Sequence, residues 1–292
     1  MITDNSTCVA LYGSRSQEGH ISAIWDLIMG LRGAAMNVCI ERKLAGVLES
    51  AGYRLATHGI KACTAFPPEA RMVISVGGDG TFLRTARWLE GREVPILGIN
   101  TGHLGFLAEN STDDISSIIS LLQSDKISTE RRIVLRAECE ALPSSAWPYA
   151  LNEVAFMKGA ASMIDVDMTL DGYHLATYRA DGLLVATPTG STAYNLSVGG
   201  PILAPTLPNI VLSPIAPHTL TLRPVVIGAD SRLEATVISR APEFRLIIDG
   251  KSHALPCGTS VSIRRASHSV VTVRPPGSNF ASTLRSKLLW GH

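Results

Sequence analysis

The chain lacks a net electrostatic field: 26 lysines and arginines stand against 25 aspartates and glutamates, a balance of +1 over 292 residues. Such a surface does not gather nucleic acid or an anionic membrane, so any polyanionic ligand must be met by local groups. Long apolar runs are also missing. No stretch approaches the roughly 18 residues that a spanning helix needs, and the N-terminal segment carries Asp4 with no basic region, which argues against export and for a cytoplasmic protein. In that compartment the Asn-x-Ser/Thr matches at Asn5, Asn110 and Asn195 carry no weight. CxxC spacing is absent too. Cys8, Cys39, Cys63, Cys139 and Cys257 are odd in number and scattered, which argues against a disulfide framework or a zinc site and predicts five small, buried hydrophobes. The eight histidines contain no HxxxH pair, so no tight transition-metal site is expected. Two nucleotide fingerprints fail as well. Leu83 stands where GxGxxG would need its third glycine, and Gly250-Lys251-Ser252 has Arg245 where a P-loop would need glycine.

What is present divides at about residue 127. Before it, short β-branched runs (Val9 to Tyr12, Met72 to Val76, Pro95 to Ile99) alternate with helical patterns. These cover Ile21 to Leu31, Glu41 to Ala51, Thr81 to Leu89, and a segment capped at Ser111 or Thr112, with Asp113 and Asp114 in its first turn, running to Gln123. Alternation of this kind predicts a parallel sheet covered on both faces, with ligands at the C-terminal ends of its strands. After residue 127 a period of two dominates. Ile164, Val166, Met168 and Leu170 alternate with Asp165, Asp167 and Thr169 ahead of an Asp171-Gly172 hairpin turn, and further strands are predicted at 183–186, 225–227, 233–238, 244–248, 261–264 and 270–273. The second domain is therefore mostly antiparallel β. Six prolines between Pro201 and Pro224 predict a long ordered connection there.

Four segments carry chemistry. SVGGDGT at 75–81 sets Asp79 among Gly77, Gly78 and Gly80 at the end of a predicted strand. Glycines let backbone N–H groups converge on phosphate oxygens, and the acid can take a proton from a hydroxyl or help hold a metal; the plain alternative is a glycine turn in which Asp79 caps the next helix. TPTGSTAY at 187–194 crowds four hydroxyls around one glycine, suited to ribose hydroxyls and phosphates, against a capped polar turn. Asn152-Glu153, beside apolar Val154 to Phe156, puts at least one polar group inward, for a ligand or for a structural pair. Tyr178 to Gly182 sets a cation beside an anion, in a functional segment or a tight turn.

Taken together, GGDGTFLRTA at 77–86, TGHLGFLAE at 101–109, Asn152-Glu153 and YRADGLLVATPTGSTAYNLSVGGPI at 178–202 resemble the bacterial NAD kinases, the ATP/polyphosphate NAD kinase family. SPIAPHTLTLRPVVI at 213–227 and FASTLRSKLLWG at 280–291 extend the resemblance from about residue 71 to the chain end. It implies an N-terminal Rossmann-like α/β domain (residues 1–126, joined by the tail 277–292) and a C-terminal, mostly antiparallel β-sandwich domain (127–276). It implies transfer of the terminal phosphoryl group of ATP, another nucleoside triphosphate or polyphosphate to the 2′-hydroxyl of the adenosine ribose of NAD, giving NADP.

By the same resemblance Asp79 is the catalytic base and Gly78, Gly80 and Thr81 serve phosphates, with Arg84 and Thr189 as further binding positions. Phe106 lines the adenine pocket, Asn152 and Glu153 hold ribose hydroxyls, and Thr192, Ala193, Tyr194, Asn195 and Ser197 complete the NAD site. Arg179 and Asp181 lie toward the nicotinamide end, in part across a subunit contact, which implies a homodimer or homotetramer. Mg²⁺ or another divalent cation is implied as held mainly by nucleotide phosphates, with no protein metal site. Ala180 departs from the glycine common in relatives. A diacylglycerol-kinase-like lipid kinase shares GGDGT but should lack TPTGSTAY, and a non-catalytic NAD-binding sensor should not need Asp79. Asp79→Asn is expected to cost turnover with little effect on folding.

Overall fold

The computed structural model describes residues 8–13, 19–102, 105–111, 115–124 and 127–288, which form two compact units, residues 1–131 with 270–292 and residues 132–269. The chain begins β1 (Cys8–Gly13), α1 (Ile21–Gly33), β2 (Asn37–Glu41), α2 (Arg42–Ser50), β3 (Lys61–Cys63), β4 (Ala70–Val76), α3 (Asp79–Trp88), β5 (Ile96–Asn100), β6 (Asn110–Ser111), α4 (Ile115–Gln123) and β7 (Ser128–Arg132). The β unit follows with β8 (Leu135–Glu138), β9 (Tyr149–Ala150), β10 (Glu153–Lys158), β11 (Ile164–Leu170), β12 (Tyr173–Ala180), β13 (Gly182–Ala186), α5 (Tyr194–Ser197), β14 (Asn209–Ile215), β15 (Val225–Gly228), β16 (Leu233–Ile238), β17 (Glu243–Ile248), β18 (Lys251–Pro256) and β19 (Ser260–Arg265). The chain then returns to the first unit with β20 (Val270–Arg274) and α6 (Phe280–Leu288).

In the first unit an eight-stranded sheet runs β3-β2-β1-β4-β5-β20-β7, with β6 on β5, and β1 to β5 pair in parallel. Ile24, Leu27, Ile28 and Leu31 recur at helical spacing along α1 and pack on Val9, Leu11, Ile40 and Ile74. Burying a side chain of this size contributes roughly 1.5–3 kcal/mol, which fixes each helix on its sheet. Glu41 caps α2 by accepting from the Lys43 and Leu44 amides at 2.9 and 3.3 Å. The predicted cap of α4 at Thr112, with Asp113 and Asp114, lies outside the described residues, and Ser111 belongs to β6.

The second unit is a sandwich of two six-stranded sheets, β15-β14-β13-β10-β17-β18 and β12-β11-β16-β19-β8-β9, antiparallel throughout. Val154 and Phe156 from one sheet and Val166 and Met168 from the other share one core. One expectation needs correction. The proline-rich segment 201–224 is no mere connection: it contains β14, in which Pro214 lies opposite Leu183 beyond the stretch that pairs with β15. A proline is tolerated there because its missing N–H faces no partner strand. Of the two readings left open for residues 178–182, the tight turn falls. Ala180 ends a strand of one sheet and Gly182 starts a strand of the other, so the chain crosses between layers at Asp181. A Cβ on Gly182 would stand 2.4 Å from the Phe156 carbonyl oxygen, which is why glycine is needed at the crossing.

Three cysteines also depart from the reading of isolated hydrophobes. Cys139 and Cys257 pack on the sandwich core, but Cys8 and Cys39 bring their sulfurs to 3.6 Å and Cys63 adjoins Cys39.

Candidate active site

At the end of β4, Gly77 has φ 140°, a region that favours glycine. Gly78 then caps α3, and no side chain supplies a cap hydrogen bond. Asp79 is the first residue of that helix, and its carboxylate is turned elsewhere. It accepts the amides of Phe106 at 2.9 Å, Leu107 at 3.0 Å and Ala108 at 3.1 Å. A helix-capping Asp79 is thereby set aside. The clamp demands glycine at 105, because a Cβ there would lie 1.9 Å from Asp79 Oδ1. A carboxylate offers about four acceptor sites, so three amides fix its orientation and leave one lone pair for a proton.

The first-turn amides of α3 have no partner inside the helix and present partial positive charge at its N-terminus. Thr81 is buried and receives Arg84 Nη2 at 2.9 Å, which holds the otherwise exposed guanidinium over the same turn. Phe106 is half-buried beside Asp79, and His103 and Leu104 lie outside the described residues. Sequence reasoning missed the cation of this half. Lys287, on α6, has a buried Nζ with no hydrogen-bond partner, and burial pulls its pKa down to about 8 against the opposing pull of the Asp79 and Glu109 charges. Glu109 itself accepts Ser278 Oγ at 2.9 Å, and Ser278 receives Arg274 Nη2 at 2.6 Å, so the tail is tied to the TGHLGFLAE segment by side chains.

In the β unit a second aspartate makes the same kind of clamp. Asp249 and Gly250 form the β17–β18 turn with φ 43° and 75°, the doubly positive pattern of a type I′ hairpin. The Asp249 carboxylate reaches back to the amides of Leu151 at 2.7 Å, Asn152 at 2.8 Å and Glu153 at 3.2 Å. Desolvation pushes its pKa up to about 6, and desolvation with the Asp249 charge pushes Glu153 up to about 7. Asp249 was missed in the sequence because its role comes from a contact 97 residues away from Asn152.

The TPTGSTAY segment presses on this pair. Thr187 donates its hydroxyl to the Leu151 carbonyl at 2.6 Å and its amide to the Asn152 carbonyl at 2.9 Å. A Cβ on Gly190 would stand 2.1 Å from that Asn152 oxygen. Glu153 Oε2 and Thr189 Oγ1 are both buried without a partner, and a buried polar atom left unpaired costs about 1–3 kcal/mol. These two atoms point to a ligand with hydroxyls to share. Thr192 donates to the Thr189 carbonyl at 3.2 Å, Ala193 is half-buried, and Tyr194 and Ser197 are exposed on α5. Asn195 is different. Its side chain accepts Ser213 Oγ at 2.6 Å and donates to the Ser191 and Pro201 carbonyls at 3.2 and 3.0 Å, so it is turned inward and braces the loop. Arg179 forms a two-pronged pair with Asp165 at 2.9 Å, and Asp181 pairs with Lys158 at 2.6 Å. Both stand ordered, at the layer crossing.

Residues 36–127 match the ATP-NAD kinase N-terminal domain and residues 151–275 the ATP-NAD kinase C-terminal domain. The NAD kinase of Porphyromonas gingivalis is 42% identical over 285 residues, which cover 97% of this chain and 98% of that protein. The chain belongs to the NAD kinase family. The NAD kinase of Bacteroides fragilis is 41% identical over 97% of both chains. Among solved structures, an NAD kinase from Archaeoglobus fulgidus in complex with ATP aligns with a TM-score of 0.71 at 27% identity, covering 96% of this chain and 99% of its own. Yeast NADH kinase complexed with NADH has the same fold, with a TM-score of 0.85 at 22% identity over 99% of this chain and 89% of its own. As an NAD kinase the protein is a phosphotransferase, and the lipid-kinase and sensor readings fall away. Among the described residues no helix is long and apolar enough to cross a membrane.

Proposed function

We propose that this NAD kinase transfers the terminal phosphoryl group of ATP to the 2′-hydroxyl of the adenosine ribose of NAD, with Asp79 as the group that takes the hydroxyl proton. The observation that carries the reading is the Asp79 clamp, which holds the carboxylate off its own helix with one lone pair open. A secondary alcohol becomes an effective nucleophile toward phosphorus only as its proton leaves, and proton transfer to a fixed base contributes about 10²–10⁴ in rate. Gly78, Gly80 and Thr81, with the first-turn amides of α3, serve the donor phosphates, and Arg84 adds a cation to the same turn.

The ribose hydroxyls fall to Asn152 and Glu153. Glu153, with its pKa raised to about 7 and Oε2 unpaired, can donate or accept at neutral pH, and Thr189 Oγ1 supplies a further open contact. Phe106 lines the adenine pocket, and Thr192, Ala193, Tyr194 and Ser197 complete the NAD contacts. Asn195 supports them from behind. Around Asp79 the groups suit a divalent cation carried on phosphate: Asp79 already accepts three amides and Glu109 is tied to Ser278, so the ion rests mainly on the nucleotide. Mg²⁺ bound to the nucleotide would offset charge on the transferring group. The enzyme acts in the cytoplasm, as a homodimer or homotetramer in which Arg179 and Asp181 serve the nicotinamide end.

The test is incubation of the purified chain with NAD, ATP and Mg²⁺ and measurement of NADP. NADP is expected, and Asp79→Asn should lose it. Absence of NADP, or full activity in the variant, would overturn the assignment.

A further inference from the structure

The strands β3, β2 and β1 lie side by side and parallel at one edge of the first sheet, with Cys39 in register with Ala10 on one side and Lys61 on the other. Cys8 precedes Ala10 by two residues and Cys63 follows Lys61 by two, so all three cysteines occupy the same face on one diagonal. Cys8 and Cys39 bring their sulfurs to 3.6 Å, while the Cys63 thiol, on the same face of β3, is turned to the Lys61 carbonyl at 4.0 Å and stands outside the group that Cys8, Cys39 and Glu69 form. Glu69, one residue before β4, puts a carboxylate oxygen within 4.8 Å of both Cys8 and Cys39 sulfurs. Cys8 and Cys39 are buried and Glu69 is exposed, so the cluster opens to solvent on its carboxylate side.

We propose that Cys8, Cys39 and Glu69 form the core of a zinc(II) site, distinct from the kinase chemistry, and that Cys63 completes it by a turn of its side chain away from the Lys61 carbonyl, which fastens three strands of the sheet edge. Four ligands set tetrahedrally at the zinc–sulfur length of about 2.3 Å stand roughly 3.8 Å apart, close to the spacing of the Cys8 and Cys39 sulfurs. That spacing is far longer than a disulfide bond of about 2.05 Å. Three sulfurs and one oxygen are a donor set that suits zinc, whereas magnesium and calcium take oxygen ligands. Ligation exchanges each thiol proton for a bond to the ion, so three protons leave as Zn²⁺ enters. Cys139 and Cys257 pack on the core of the other unit and serve as internal controls.

The probe is Co²⁺ added to the reduced full chain, followed by absorption spectroscopy and displacement with Zn²⁺. One equivalent per chain should give intense thiolate-to-cobalt bands and the visible bands of a tetrahedral ion, both abolished by Zn²⁺. Cys39→Ser should remove the thiolate bands, Cys63→Ser should reduce their intensity by about one third, and Cys139→Ser should leave them unchanged. Circular dichroism checks that each variant is folded, and NADP formation should persist in all of them. Absence of thiolate bands in the parent chain, unchanged bands in folded Cys39→Ser and Cys63→Ser, or a Cys8–Cys39 disulfide in place of metal would each overturn the site. None of these outcomes touches the kinase assignment.

Discussion

Asp79 in the α/β unit and Asp249 in the β unit solve one mechanical problem twice. Each takes three consecutive amides from a distant segment, residues 106–108 or 151–153, and so fixes a stretch of backbone that carries a family motif. Their surroundings are opposite in sign. Asp79 has an unpaired ammonium, Lys287, in its field, whereas Asp249 faces a second carboxylate, Glu153, and both of that pair are pushed toward the protonated form. On the proposed function, the same clamp supports two kinds of chemistry: an acceptor for a proton in one unit and a proton-sharing hydroxyl binder in the other. What differs is the neighbour, not the clamp.

The largest effect that would break this comparison is in Asp79→Asn, for which NADP formation should fall about 10³-fold or more. The clamp also revises the expectation of an unaffected fold. An amide nitrogen cannot accept, so at least one of the three backbone donors loses its partner, and thermal denaturation should show a loss of about 1–3 kcal/mol. A fully stable variant would mean that the clamp contributes nothing. Next comes Asp249→Asn, with a loss of stability of the same order and a KM for NAD raised roughly tenfold, while the KM for ATP stays unchanged. A change in kcat with no change in the KM for NAD would remove Asp249 from the ribose side.

A smaller effect should separate the two clamps by pH. The folded pKa of Glu153 is raised from 4.5 to about 7, so its contribution to stability is full below pH 4.5 and is lost as pH rises through 7. Glu153→Gln should flatten the stability profile between those values and exceed the parent by about 1–2 kcal/mol at pH 8, as read by urea denaturation. A parallel profile in the variant would sink the pairing with Asp249. The smallest effect lies in Lys287→Met, which should raise the KM for ATP a few-fold at pH 7. The parent should show a weakening of ATP binding above pH 8 as the ammonium loses its charge, and the variant should lack that limb.

How far the molecule was legible follows from the range of each interaction. The GGDGT loop, the Asp171-Gly172 hairpin and most strands could be read because glycine spacing and period-two alternation act over a few residues. β14 was hidden because Pro214, with the prolines on either side of the strand, mimics a loop, and the sheet tolerates Pro214 only beyond the reach of β15. Asn195 fell within a ligand-rich motif, yet its amide is consumed by Ser213, Ser191 and Pro201, a choice that only packing reveals. Asp249, Lys287 and the cysteine row share one cause of invisibility. Each is assembled from segments distant in sequence, and no local pattern encodes the meeting.

The position of β20 carries a consequence for how the enzyme is made. In the first sheet it lies between β5 and β7, and it is synthesised after the whole of the β unit. While the chain leaves the ribosome, β7 has no neighbour to join and the sheet stays open on that side through residues 133–269. The β unit can close first, as a finished insert. A truncated product that stops within it would carry the Asp79 loop without β20, α6 or Lys287, so the first sheet is complete only when the whole chain has been made.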